Sequence, residues 1–184
     1  MLARGVFLWS NLMILGIDPD THNTGICLHR PNGGCLLDLA HVKHKYTGTR
    51  AVIEMAIRLD DVIDNLCRNR DIKLIIIENQ EAYIGRGSVP NRLLVLAQVT
   101  GACISLCTKY SSNILCPKPK EWKGQVPKDI HNKRVLEKMG TSEDDLFKGN
   151  PIPKPQRHHV IDAIGLALWG TSYLVDTQSQ LYNK

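Results

Sequence analysis

Three acids in this 184-residue chain stand where an unpaired charge is expensive. Asp18 closes the run Met13-Ile14-Leu15-Gly16-Ile17 and is followed by Pro19. Unbroken apolarity over that length suits a strand buried on both faces, and Pro19 stops the ladder. A charge at such a strand end must be paired, hydrated or bound to a cation, although Asp-Pro also commonly opens a turn. Glu78 repeats the arrangement after Ile72-Lys73-Leu74-Ile75-Ile76-Ile77. Asp162 follows His158-His159-Val160-Ile161 at the start of an apolar helix rich in small residues. An acid in a first helical turn also complements the helix dipole, but the apolar continuation puts Asp162 at the boundary of a core. Helical spacing sets His159 three residues and His158 four residues from Asp162, so periodicity leaves either histidine open as its companion. Two strand-end acids and a helix-start acid make a hard, oxygen-rich donor set. Mg²⁺ or Mn²⁺ suits it better than Zn²⁺, which favours thiolate and imidazole. Two such ions about 4 Å apart activate water and stabilise the leaving oxygen in phosphodiester cleavage. A histidine beside them ligates metal or moves protons near the nucleophilic water.

The elements that must position these groups follow from punctuation and period. Strands are predicted over 23–29 and 35–42, joined at Gly33-Gly34, which with the first strand makes an antiparallel meander. Residues 49–69 carry Val52, Met55, Ala56, Leu59, Val62, Ile63 and Leu66 at helical spacing, a core-facing stripe. A loop over 79–90 holds Tyr83 and Arg86. Asn91 is the expected N-cap of a helix to residue 109, and Ala97, Gly101, Ala102 and Ser105 allow close packing. A short fifth strand over 113–116 ends at Pro117, a helix is expected over 129–139, and Glu143-Asp144-Asp145 reads as a solvated turn. The last helix, over 156–175, turns Ala163, Leu166, Ala167, Gly170 and Leu174 inward. The order predicts an α/β fold: a five-stranded mixed sheet, three antiparallel strands then parallel strands, with helices on both faces. With the first strand central and the fourth beside it, Asp18 and Glu78 emerge together at the edge where open α/β sheets bind ligands.

The net charge is +5, and residues 118–157 hold ten Lys/Arg against six Asp/Glu, +4 of that excess. Such a segment either suits a polyanion or is a solvated face without a partner. The six cysteines show no zinc spacing and read as reduced thiols. The apolar stretch 5–16 is too short for a bilayer span and lacks a secretory cleavage pattern, so a cytoplasmic location is expected. We read 1–12 as an extension, 13–176 as one domain and 177–184 as a tail.

Gly16-Ile17-Asp18-Pro19, the strand-closing Glu78 and His159-x-x-Asp162-Ala163 together resemble the RuvC family of Holliday junction resolvases. The likeness runs over about 13–173, and it looks particularly close to phage-encoded members through Trp122-Lys123-Gly124-Gln125-Val126-Pro127-Lys128. The resemblance implies an RNase H-like fold, a homodimer, two Mg²⁺ ions (Mn²⁺ substituting) and paired symmetric nicks across a four-way DNA junction. It carries Asp18, Glu78, His159 and Asp162 over as catalytic metal ligands. His159 is preferred to His158 because it takes the place where family members have Asp or His. Lys123 and Lys128 fall where the family keeps lysines facing the scissile DNA, Lys123 with a catalytic share. Tyr83, nearest to the family's stacking aromatic, and Arg86 are the DNA contacts of the loop. The sequence departs from the family pattern at Asp20, usually Gly, at Glu81, usually aromatic, and in a short 121–128 loop that leaves the place of Lys128 open. Competing functions are an RNase H-like nuclease of other branched DNA or of RNA, as YqgF-like relatives are thought to be, and a basic DNA-binding module with a vestigial site. An actin-like or sugar-kinase ATPase would need a second domain and an adenosine motif, so no nucleotide cofactor is expected.

Overall fold

Strand β1 (Met13–Asp18) lies at the middle of the sheet because every residue from Ile14 to Asp18 is buried. A computed structural model describes residues 12–31, 35–79, 90–150 and 152–182. Around β1 are β2 (Asn23–Arg30), β3 (Cys35–Lys43), β4 (Ile72–Ile77) and β5 (Ile114–Leu115), in the order β3-β2-β1-β4-β5. The β1–β2 and β2–β3 pairs are antiparallel, and β1–β4 and β4–β5 are parallel. This is the mixed sheet that the apolar runs predict. Ile17 pairs with Ile77, and the Glu78 N–H donates to the Ile17 carbonyl at 3.0 Å. Register alone therefore sets Asp18 and Glu78 side by side at the sheet edge.

Period-2 alternation divides the core between the two faces. Leu15, Ile17, Ile75 and Ile77 pack against α1 (Gly48–Cys67) and α2 (Pro90–Cys107). Ile14, Cys27, Leu74 and Ile76 pack against α4 (Lys128–Met139) and α6 (Arg157–Tyr182). On α1 the expected stripe is buried at Met55, Leu59, Ile63 and Leu66 and half-buried at Val52, Ala56 and Val62, with Ala51 and Cys67 completing it. Helix α6 approaches the sheet closely because Gly16 has no side chain. A Cβ at that position would lie 2.2 Å from the Ala163 carbonyl oxygen.

Four details differ from the sequence expectation. Helix α2 already includes Asn91 and starts at Pro90, so Asn91 is inside the helix and not its cap. A one-turn helix, α3 (Pro119–Trp122), precedes Lys123, held by Glu121 Oε2 accepting from the Lys118 N–H at 2.7 Å. The acidic run 143–145 is not a plain solvated turn. It forms α5 (Glu143–Leu146), where the Ser142 hydroxyl accepts from the Asp145 N–H at 3.1 Å and Arg157 reaches Glu143 and Asp144 at 3.5 and 3.3 Å. Helix α6 continues to Tyr182, past the expected end at Val175. Gly33-Gly34 and residues 80–89, with Glu81, Tyr83 and Arg86, lie outside the described residues. Cys27, Cys67, Cys103, Cys107 and Cys116 are free thiols, and burial pushes the Cys67 and Cys103 thiols up to about 12. Among the described residues no helix is long and apolar enough to cross a membrane.

Candidate active site

Asp18, Glu78 and Asp162 converge where β1 and β4 end against the first turns of α6. All three are buried, at 4, 2 and 7% exposure. Asp18 shows what that proximity costs. Burial, then the charges of Glu78 and Asp162, raise its carboxyl well above the usual range, and it shares a hydrogen bond with Glu78. His159 is the histidine that faces Asp18: its Nδ1 lies 2.8 Å from Asp18 Oδ2. Burial, with His158 next, lowers the His159 imidazole to about 4, so the ring is neutral at physiological pH. His158 sits beside it, ring centroids 4.0 Å apart, and is lowered chiefly by burial. Packing thus sets His159 against Asp18, while the histidine 3.3 Å from Asp162 is His131.

Lys123 is not a peripheral surface lysine. It follows α3 and inserts Nζ between two of the acids, 2.9 Å from Glu78 Oε1 and 3.5 Å from Asp162 Oδ2. Burial works to lower the ammonium pKa, but Asp162 and Glu78 more than offset it, and the group is held above its ordinary value. Asp162 mirrors this. Burial works to raise it, and His131 and Lys123 together bring it below the usual carboxylate range.

Two residues that sequence reasoning did not assign complete the cluster. The Trp122 indole N–H donates to Glu78 Oε1 at 3.1 Å. His131 on α4, 7% exposed, places Nε2 3.3 Å from Asp162 Oδ1, without hydrogen-bond alignment. It also packs edge-on against Trp122, centroids 4.9 Å apart at 83°. The signal for His131 was its i,i+4 spacing to Val135, the other buried residue of that helix. Lys128 starts α4, exposed, and its charge reaches His158, His159 and Asp162. Asp20, the extra acid of the turn, lies 3.9 Å from Arg92 and 4.0 Å from His159 Nε2.

Solved structures share this architecture. RuvC of Thermus thermophilus, in a complex with a Holliday junction substrate, aligns over 88% of this chain and 94% of its own, with 18% identity and a TM-score of 0.65. A second Thermus thermophilus RuvC structure aligns over 90 and 96%, with 17% identity and the same TM-score. The chain has the RuvC fold. The yeast mitochondrial Holliday junction resolvase is similar at a TM-score of 0.58 and 14% identity, over 93% of this chain and 85% of that one. No protein-family model matches the sequence, nor does any curated protein. The RNase H-like sheet expected from the RuvC resemblance is therefore present, with the three acids at one of its edges.

The donors fit a hard divalent cation in chemistry and charge. Asp162 Oδ1 is a buried carboxylate oxygen without an aligned hydrogen-bond donor. Asp18 is strained by two neighbouring acids, a repulsion that a cation would relieve. Among the described residues no three acid, histidine or cysteine side chains are already gathered round one point to hold an ion. Glu78 and Asp162 are turned toward Lys123, and Asp18 toward His159.

Proposed function

We propose that this chain is a divalent-metal-dependent, structure-selective DNA endonuclease that resolves four-way junctions by paired symmetric nicks, acting as a homodimer. The observation that carries the proposal is the convergence of Asp18, Glu78 and Asp162, from three distant stretches, into one buried cluster with His159 on Asp18. Asp18, Glu78, His159 and Asp162 would hold two Mg²⁺ ions, or Mn²⁺, which when bound supply an activated water and charge stabilisation at the scissile phosphate. The known substrate of the Thermus thermophilus protein of the same fold supports branched DNA as the target.

The chain's own residues divide the remaining work. His159, neutral because its pKa is near 4, keeps a nitrogen lone pair available at neutral pH. Lys123, held protonated by Glu78 and Asp162, brings a positive charge to the point where phosphate charge develops. The Trp122 N–H fixes Glu78 Oε1, and His131 sits against Asp162, so both acids are oriented by neighbours on α3 and α4. Lys128, exposed at the start of α4, would hold backbone phosphate, and Tyr83 and Arg86 are assigned further DNA contacts. Exposed Ile53 and Ile57, one turn apart on α1, with exposed Leu94 on α2, offer apolar surface for the second protomer.

A synthetic four-way junction incubated with the protein, with Mg²⁺ or with EDTA, tests the reading on one gel. Paired nicks in Mg²⁺, little cutting of linear duplex, and retained binding without cleavage by Asp18→Asn are expected. Failure of the wild type to cut any branched DNA in Mg²⁺ or Mn²⁺ sinks it.

A further inference from the structure

A cavity of about 460 Å³ opens between α4 and α6, sharing only part of its wall with the acid cluster. That volume is in the range of small-ligand pockets, roughly 300–1,000 Å³. Two indoles, Trp122 and Trp169, line it together with Val135 and Leu168. Trp169 is held by stacking on Tyr173, centroids 5.5 Å apart at 27°. Gly165 lets Trp122 and His131 pack directly on α6 at the cavity wall, since a Cβ there would lie 2.7 Å from the Trp122 ring and 3.2 Å from His131 Nε2. His131, whose Nε2 lies 3.3 Å from Asp162 Oδ1, is a further residue of the cavity wall. Exposed Arg134 and Lys138 also line the cavity and form no ion pair among the described residues, whereas Glu137 between them lies 3.8 Å from Lys133.

We propose that this cavity seats one nucleotide unit of a DNA strand, with the base against Trp122 and Trp169 and the phosphate on Arg134 and Lys138. Indole faces accept any base by stacking, and unpaired cations at an exposed mouth suit a phosphate. A purely apolar ligand would leave both cations unused. A bare anion would leave the indoles unused. Lys123 belongs both to the cavity wall and to the acid cluster, so a strand laid across the acids continues into the cavity. The assignment rests on the nuclease reading for its source of nucleotide, and it adds a subsite beside the cleavage chemistry.

The test uses the full chain, thymidine 5′-monophosphate as the free probe and a four-way junction as the strand. Binding of the mononucleotide is read in EDTA by saturation-transfer NMR and indole fluorescence. Ser172→Phe fills the cavity from an exposed position of α6, and Arg134→Glu reverses a surface charge, so both variants should keep the wild-type circular dichroism. Each should weaken mononucleotide binding about tenfold and lower junction affinity to a similar degree, while Asp18→Asn leaves mononucleotide binding unchanged. Mononucleotide binding that both variants retain overturns the subsite. Loss of it with junction affinity and cleavage unaltered overturns the strand as its source. Specific mononucleotide binding by a protein that cuts no branched DNA keeps the cavity and defeats the nuclease reading instead.

Discussion

Gly25 of β2 and His159 of α6 meet backbone to backbone: a Cβ at Gly25 would lie 2.0 Å from the His159 carbonyl oxygen and 2.6 Å from the Val160 nitrogen. Gly25 is also the register partner of Asp18. The bare strand backbone therefore brings the start of α6 down onto the sheet beside Asp18, and this close approach is what puts His159 within 2.8 Å of it. Gly25→Ala should push the helix start away, costing about 2 kcal/mol by overpacking. Displacing His159 and Asp162 by about 1 Å should slow junction cleavage about 100-fold. Urea denaturation and cleavage rates at a temperature where both proteins are folded check the two effects. Wild-type values for both would mean that α6 is not held by this contact.

Asp18→Asn should abolish cleavage and, in EDTA, stabilise the protein. The raised pKa of Asp18 means that the fold favours its protonated form. That contribution is complete below the ordinary value of 3.8 and is lost as pH rises through the raised value, so at pH 7.5 the fold carries an unfavourable charge. Asparagine is neutral throughout. The variant should melt about 3 °C above wild type at pH 7.5, with the gap closing as the pH approaches 4. A lower melting temperature for the variant at pH 7.5 would show that Asp18 is not strained.

Removing the ammonium between Glu78 and Asp162 leaves two buried acids without their counter-charge. Lys123→Ala should lose about 2 kcal/mol in EDTA at pH 7, and millimolar Mg²⁺ should recover much of that loss because a cation replaces the missing charge. Cleavage should fall about 100-fold, less than for Asp18→Asn, Glu78→Gln or Asp162→Asn. Calorimetric scans with and without Mg²⁺ decide the stability part. A loss that Mg²⁺ does not reduce would separate Lys123 from the cation site.

The lowered pKa of His159 gives a pH dependence of opposite sign to that of Asp18. A folded-state value near 4 means that the neutral ring contributes stability above about pH 6.5, lost as pH falls toward 4. In an Asp18→Asn background, which removes the opposing titration, stability should fall by up to about 3 kcal/mol between pH 7 and 4. Adding His159→Asn should flatten that slope. Denaturant midpoints across the range provide the measurement, and equal slopes with and without His159 would contradict the assignment.

Much of this protein can be read from residue type and period. Apolar runs ending in Asp18 and Glu78 specify central strands with acids at one sheet edge, because a buried strand tolerates a charge only where it leaves the core. The stripe on α1 and the small residues after Asp162 likewise specify which faces are covered. Tertiary packing decided the rest. Spacing on one helix cannot choose between His158 and His159, since both share a face with Asp162, and it is the Gly25 contact from another element that turns His159 to Asp18. The partners of the acids are also invisible in sequence. Trp122 is 44 residues from Glu78, and Lys123 is 39 from Asp162. Their meeting depends on the path of a proline-rich segment around the sheet edge. No local pattern encodes that path, because the charges that stabilise it come together only once the strands and α6 have packed.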